Sequence, residues 1–217
     1  MVKIVALLGD YWHDADEAKA GLEAAIECLG NKNVTLYYIT HEEVSKVLDE
    51  KPDLFINAKM DQLNPKDERV YTWLTDELDK KIVHYVEDGG NVLAWHAGSA
   101  GYDPNSNYIQ MLRGYFDYHP PGLQDVTYML KENEKSGENT FSFSDEQYFV
   151  KCDTANTEVD LWSTGVDGDS IAGWKHFYGK GRVCSFTPAH TKDGMLNENV
   201  SRLLAEKIHW MISKIDR

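Results

Sequence analysis

The sequence predicts an α/β fold in which a mostly parallel sheet carries helices on both faces. Through the first hundred residues, short apolar runs alternate with stretches of helical period, the pattern of repeated βα units. The runs stop abruptly at glycine or polar residues, as buried parallel strands do where they deliver the chain to a loop. A strongly patterned helix closes the chain and needs a sheet face to cover. At 217 residues the chain is long enough for one well-buried core, and a single domain over 1–217 is expected.

Residues 2–8, VKIVALL, read as the first strand, ending at Gly9-Asp10. Ala18, Leu22, Ala25, Ile26 and Leu29 follow at helical spacing, with Asp14 or Asp16 as cap and Gly30 as the stop. VTLYYI at 34–39 is the second strand; Thr40 and Glu43 then form a capping box for a short helix to Leu48. Pro52 breaks the chain before a third strand, DLFIN, at 53–57. Asn64-Pro65 is a helix-start signal, and a helix is expected from there towards Asp88, interrupted near Thr75, with Leu78, Ile82, Val83 and Val86 as its apolar stripe.

The fourth strand lies in GGNVLAWHAGSAGY, residues 89–102, and its carboxyl end delivers His96. Ligands of open α/β sheets bind outside the carboxyl ends of the strands, which makes His96 a candidate for chemistry. A loop over 97–107 and a short helix with Tyr108, Ile109, Met111 and Leu112 come next, and the two prolines after His119 hold that histidine in an irregular loop. Segments 126–130, 159–164, 170–177 and 182–187 are β-rich, and YGKG at 178–181 predicts a hairpin, hence an antiparallel extension. Val200, Leu203, Leu204, Ile208, Met211, Ile212 and Ile215 make the closing stripe.

A formal charge of −14 argues against nucleic acid and against an anionic membrane surface as partners. Cys28, Cys152 and Cys184 are odd in number and form no CxxC pair, so reduced thiols are expected, with Cys28 and Cys184 placed in the core. With no signal-peptide pattern at Met1 and no run of 18 apolar residues, the expected location is the cytoplasm. No P-loop or dinucleotide fingerprint follows Gly9, so no nucleotide cofactor is expected.

Four of the eight histidines, His13, His96, His119 and His190, follow strands or lie in irregular loops that a parallel sheet brings to one edge. Neutral imidazoles gathered there suit zinc or another divalent metal, and a single one moves protons at neutral pH. The separated spacing lacks the tight HxH or HExxH pattern, so scattered structural histidines are the competing reading. In SDEQY, residues 144–148, Asp145 and Glu146 sit within an aromatic and apolar segment; they serve either as acid–base or metal-ligating carboxylates or as an exposed turn between two strands. Asp10 and Asp14, beside His13, serve either as its catalytic partners or as helix-start residues, with capping the first reading. The elbow AWHAG has the form of a nucleophile turn, but its centre is His96, which excludes acyl transfer by Cys or Ser at that place.

Taken in order, the loop histidine His13, GGNVLAWHAGS, LRGYFDYHP, DEQY, Trp174 with YGKGRV and TPAH, and the late helix with IHW resemble the ThuA-like, or trehalose-utilisation, family. The resemblance implies the flavodoxin-like fold of class I glutamine amidotransferases without the amidotransferase cysteine. It also implies a role in sugar catabolism beside an oxidoreductase that makes 3-keto-glycosides. Carried over, the elbow histidine is His96, that of the F-x-x-H-P loop is His119, the acidic pair with its tyrosine is Asp145, Glu146 and Tyr148, and the terminal loop histidine is His190. The family's usual Gly-His there is Ala189-His190 in this chain, which leaves the substrate open.

The expected catalytic set is therefore His96, His119, Glu146 and Tyr148, acting as a lyase, isomerase or hydrolase on a small sugar or keto-sugar, and the expected metal set is His13, His96 and His190. A non-catalytic sugar-binding domain and a zinc-dependent hydrolase are the alternatives. Assembly as a homo-oligomer stays open.

Overall fold

Apolar runs without polar alternation must be covered on both faces, and the central sheet meets that demand with two helical layers. The computed structural model describes residues 1–30, 33–131 and 140–213. Its parallel half comprises β1 (Val2–Leu8), β2 (Val34–Ile39), β3 (Leu54–Ala58), β4 (Asn91–Trp95) and β11 (Gly181–Phe186). These lie in the order β2-β1-β3-β4-β11, the flavodoxin-like arrangement in which the winding reverses between β1 and β3.

Alternate residues of each strand feed opposite layers. Ile4 and Ala6 of β1 pack with Ala18, Leu22 and Ala25 of α1 (Ala15–Leu29) and with Leu203, Leu204 and Ile208 of α6 (Glu198–Ile212). Val5 and Leu7 pack with Leu48 of α2 (Val44–Asp49), Ile82 and Val86 of α3 (Asp76–Glu87), and Ile109 and Leu112 of α4 (Asn107–Leu112). Isolated helices below about 12 residues are marginal in water, so the six-residue α2 and α4 owe their form to this burial.

Beyond β11 the sheet turns antiparallel through β10 (Gly168–Tyr178), β9 (Glu158–Gly165), β6 (Gln124–Leu130) and β7 (Thr140–Asp145). The expected hairpin at 178–181 joins β10 to β11, and the extension is larger than one hairpin. A separate antiparallel pair, β5 (Gly114–Tyr118) with β8 (Phe149–Cys152), stands beside it, and α5 (Lys192–Met195) leads into α6.

Several elements depart from expectation. The helix expected from Pro65 begins only at Asp76, capped by Thr75, whose hydroxyl accepts the Leu78 N–H. Asn64 instead ties a loop together: its amide donates to Asp67 and the Arg69 carbonyl and accepts from the Tyr71 N–H, which satisfies locally what a helix would have satisfied. Residues 114–118, which lead into the proline loop, form a strand, and strands at 140–145 and 149–152 flank Glu146, Gln147 and Tyr148. Asp145, Gln147 and Tyr148 are buried, so SDEQY is not an exposed turn. Cys28 is exposed, Cys184 is buried as expected, and Ile215 lies outside the described residues.

On β10, His176 is buried; its Nε2–H donates to the Met111 carbonyl at 2.9 Å, and Nδ1 has no partner among the described residues. Burial, helped by the charge of Arg113, lowers its pKa from 6.5 to about 4. Between these values the unfolded chain holds the extra proton and the folded chain does not, so stability falls as pH drops through that window. Denaturant curves for His176→Gln, which keeps a donor but does not titrate, are expected to lose up to about 3 kcal/mol less than the wild type between neutral pH and pH ~4. Parallel losses in the two proteins would refute this.

Candidate functional site

Every strand of the parallel half that ends near the winding reversal delivers a polar residue to the same edge. After β1, the Asp10 carboxylate collects the chain: Oδ1 accepts the N–H groups of Trp12 (2.8 Å) and His13 (3.1 Å), and Oδ2 accepts that of Met60 (2.9 Å). Oδ1 also lies 2.7 Å from His13 Nδ1. A carboxylate so occupied accepts and does not donate, so Nδ1 carries the proton and His13 Nε2 presents a lone pair. That Nε2 is buried and has no hydrogen-bond partner among the described residues. Asp14, by contrast, caps α1 by accepting from Asp16 and Glu17 N–H.

After β4, His96 opens a 3-10 turn, His96–Ser99, with φ +45°, a left-handed conformation that is rare and costly for a residue other than glycine. The turn closes against β3 so tightly that a Cβ on Gly98 would meet the Asn57 carbonyl oxygen at 1.9 Å. His96 Nδ1 lies 2.6 Å from the Thr187 carbonyl oxygen, which fixes the proton on Nδ1 and leaves Nε2 as a bare acceptor. Nε2 is 3.3 Å from His190 Nδ1 and 3.7 Å from Glu146 Oε2.

The loop after β11 brings His190. Its N–H donates to Asp145 Oδ1 at 2.8 Å, and the other Asp145 oxygen accepts the Tyr128 hydroxyl at 2.7 Å. His190 Nδ1 stands 3.2 Å from Glu146 Oε2. From the end of β7 come Glu146 and Tyr148, whose ring stacks on His96 with centroids 4.2 Å apart. His119, in the loop after β5, places Nδ1 3.2 Å from Glu146 Oε1 and 2.8 Å from the Pro120 carbonyl oxygen.

Burial lowers the His96 pKa in spite of Glu146, so this imidazole is neutral. Burial alone would raise that of Glu146, but the imidazoles of His190 and His96 outweigh it and hold the carboxylate ionised. The hydrogen bond to Glu146 raises His190, and burial raises Asp145 and, much further, the Tyr148 hydroxyl. The electrostatic support that His96 lends Glu146 conflicts with its tautomer, because a bare Nε2 offers the carboxylate no proton. The Thr187 contact is the shorter and better defined of the two, so the tautomer stands and two acceptors face each other.

One donor atom from each of His13, His96, Glu146 and His190 lies within 4.8 Å of the others, and among the described residues no second such group of ligating side chains forms. Three of these atoms are lone-pair acceptors, and His190 has at most one Nδ1 proton to share among them. The set of three imidazoles and a carboxylate fits a divalent cation of the zinc class. Outside the group opens a cavity of about 390 Å³. His13, Glu146, His190 and His119 form its polar side, and Trp12, Met60, Ala100, Phe116 and Tyr148 its apolar side. Cavities of similar size beside Lys207 and beside Tyr85 hold no comparable convergence.

A family model described as ThuA, trehalose utilisation, matches residues 7–211. The chain belongs to the ThuA family. Among solved structures, a ThuA-like protein from Parabacteroides merdae aligns over 100% of this chain and 92% of its own, at 12% identity and TM-score 0.73. A ThuA-like protein from Bacteroides uniformis aligns over 99% and 93%, at 16% identity and TM-score 0.69. A cytoplasmic protein from Salmonella typhimurium LT2 aligns over 97% and 99%, at 14% identity and TM-score 0.64. At these identities the likeness is one of fold. No curated protein matches the chain. Membership in the ThuA family supports a role in sugar utilisation.

The structure thus gathers His13, His96 and His190 as the sequence grouped them and adds Glu146 to that group. His119 and Tyr148 stand next to it. Of the two roles open to Asp10 in the sequence, the structure shows the contact with His13, which the carboxylate orients, and not the preferred helix-start role; the D-x-x-H spacing is its signal. Asp145 turns inward to hold the His190 backbone, and Trp12 enters the cavity wall. Gly98→Ala is expected to cost about 2 kcal/mol or more in denaturant unfolding, since the added methyl meets backbone and not a movable side chain. A fully stable Gly98→Ala protein would mean that the turn holding His96 is not closed in this way.

Proposed function

We propose that this ThuA protein is a metal-assisted enzyme of sugar catabolism whose substrate is a keto-sugar glycoside. The observation that supports it best is the buried, unpartnered Nε2 of His13 facing the bare Nε2 of His96 and the Glu146 carboxylate. His13, His96, His190 and Glu146 would hold the ion. A divalent cation there supplies Lewis acidity towards a carbonyl or hydroxyl oxygen.

The chain's own residues then have separate tasks. Asp10 fixes the tautomer of His13, and Thr187 that of His96. Asp145 anchors His190 through its backbone. A keto group acidifies the hydrogen on the adjacent carbon, and His119, partly exposed at the cavity wall, is the base placed to take it. Tyr148 stays neutral, its hydroxyl makes no hydrogen bond within the described residues, and it is available to donate to the carbonyl oxygen as charge develops. As the C–H electron pair becomes the new C=C double bond, the adjacent glycosidic C–O bond breaks and the departing alkoxide takes the proton that His119 removed, which completes an elimination. The three free cysteines and the cytoplasmic Salmonella relative support a cytoplasmic setting, beside an oxidoreductase that makes the keto group.

Metal analysis of protein purified without chelator is expected to find about one divalent ion per chain, lost in His13→Ala and His96→Ala. Protein that is metal-free as isolated and takes up no zinc, manganese or cobalt refutes the reading. His119→Ala is expected to keep the ion while turnover of a 3-keto-disaccharide falls about 10²–10⁴-fold. Unchanged turnover would remove His119 from the chemistry, and tight sugar binding with no product would make the protein a binding domain. Asp10→Asn, which no longer forces the proton onto His13 Nδ1, is expected to weaken metal affinity about 10–100-fold in a competition titration while the fold persists by circular dichroism. An unaltered affinity would reduce Asp10 to a loop anchor.

A further inference from the structure

Trp12 is half exposed, at 49%, yet forms part of the wall of the cavity that contains His13, Glu146 and His190. A large aromatic side chain held at a cavity rim, with its indole surface neither buried in a core nor removed from the site, asks for a ligand. Its backbone is not free to wander. The Trp12 N–H is bound to Asp10 Oδ1, and the Asp10 N–H is bound to the His13 carbonyl at 3.0 Å, so one tight turn fixes both Trp12 and His13. The ring is braced by Tyr11, also exposed, in an edge-to-face contact with centroids 4.8 Å apart. The ammonium of Lys66 stands 4.6 Å from the Trp12 centroid and 5.4 Å from that of Tyr11.

In the same cavity, buried Tyr148 and partly buried Phe116 form a second aromatic surface, with ring centroids 4.4 Å apart and Tyr148 stacked on His96. Two aromatic surfaces, one beside the ligating group and one at the rim, match a ligand of two linked rings. Pyranose rings carry patches of C–H groups that lie against indole and phenol faces, while their hydroxyls take donors such as an ammonium.

We infer that Trp12, with Tyr11 and Lys66 beside it, is the specificity-determining platform for the second ring of the substrate, the unit released when the glycosidic bond breaks. This rests on the sugar-processing reading of the cavity. The inner ring lies against Tyr148 and Phe116 near the ligating residues; the leaving ring crosses the rim on Trp12. The substrate is then a glycoside with a cyclic aglycone rather than a free monosaccharide, and Trp12 selects it without touching the reacting atoms.

The test compares metal-replete wild type, Trp12→Ala and Trp12→Phe on two substrates, a 3-keto-disaccharide and the 3-keto methyl glycoside of its inner ring. Trp12→Ala is expected to lower kcat/KM for the disaccharide at least about tenfold more than for the methyl glycoside, chiefly through KM, and Trp12→Phe to recover most of the loss. Metal content equal to wild type shows that the turn holding His13 has kept its form. Equal losses on the two substrates, or none, at normal metal content overturn the inference. If the wild type turns over neither substrate, the enzymatic reading fails and calorimetry with the same two sugars decides: weaker disaccharide binding by Trp12→Ala alone supports the platform, and equal binding or none overturns it.

Discussion

The hydrogen bond from His96 Nδ1 to the Thr187 carbonyl joins the carboxyl ends of two neighbouring parallel strands and decides which nitrogen the site receives. Without it, the imidazole is free to rotate or to exchange tautomers, and Nε2 is no longer committed to the space that His13, Glu146 and His190 share. The bond requires the left-handed backbone at His96, which in turn requires Gly98 to lie against the Asn57 carbonyl. Asn57 itself is buried, and its amide donates to the hydroxyls of Tyr102 and Tyr108. A strained residue of this kind persists because packing on every side over-determines it. The geometry runs from a buried amide under the sheet edge, through a glycine, to the direction of one lone pair.

Much of the fold was legible because its causes are local. Continuous apolar runs, the Thr40–Glu43 cap, Gly30 and the YGKG turn each act over a few residues; alternation pointed to a parallel α/β sheet, and its flavodoxin-like form was what the family resemblance implied. The failures have a common physical origin. At Asn64-Pro65 the start signal was real in composition, but side-chain hydrogen bonds from Asn64 offered the backbone a competing solution. Strands β5 and β8 are short, partly exposed and paired with each other across more than thirty residues, and no local period specifies such pairing.

The histidines of the candidate site were legible from their positions after strands. Their supporting residues were less so. Asp10 and Asp145 look in sequence like any turn or strand-end carboxylate; only the fold shows that one faces His13 and the other the backbone of His190. Trp12 carried no sequence signal at all, since the exposure of an aromatic ring depends on what the rest of the chain leaves uncovered.

The four potential ligands do not come from one part of the sheet. His13, His96 and His190 leave the parallel half, whereas Glu146 leaves β7, the outermost strand of the antiparallel extension. An ion shared by all four would therefore be a rivet between two regions that already share one sheet, one apolar core and the hydrogen bond from His190 N–H to Asp145. Its binding free energy would be felt as cohesion between those regions, so that the outer strands close on the parallel half most firmly when the site is filled. Occupancy and architecture would then be one equilibrium, because the extension completes the site.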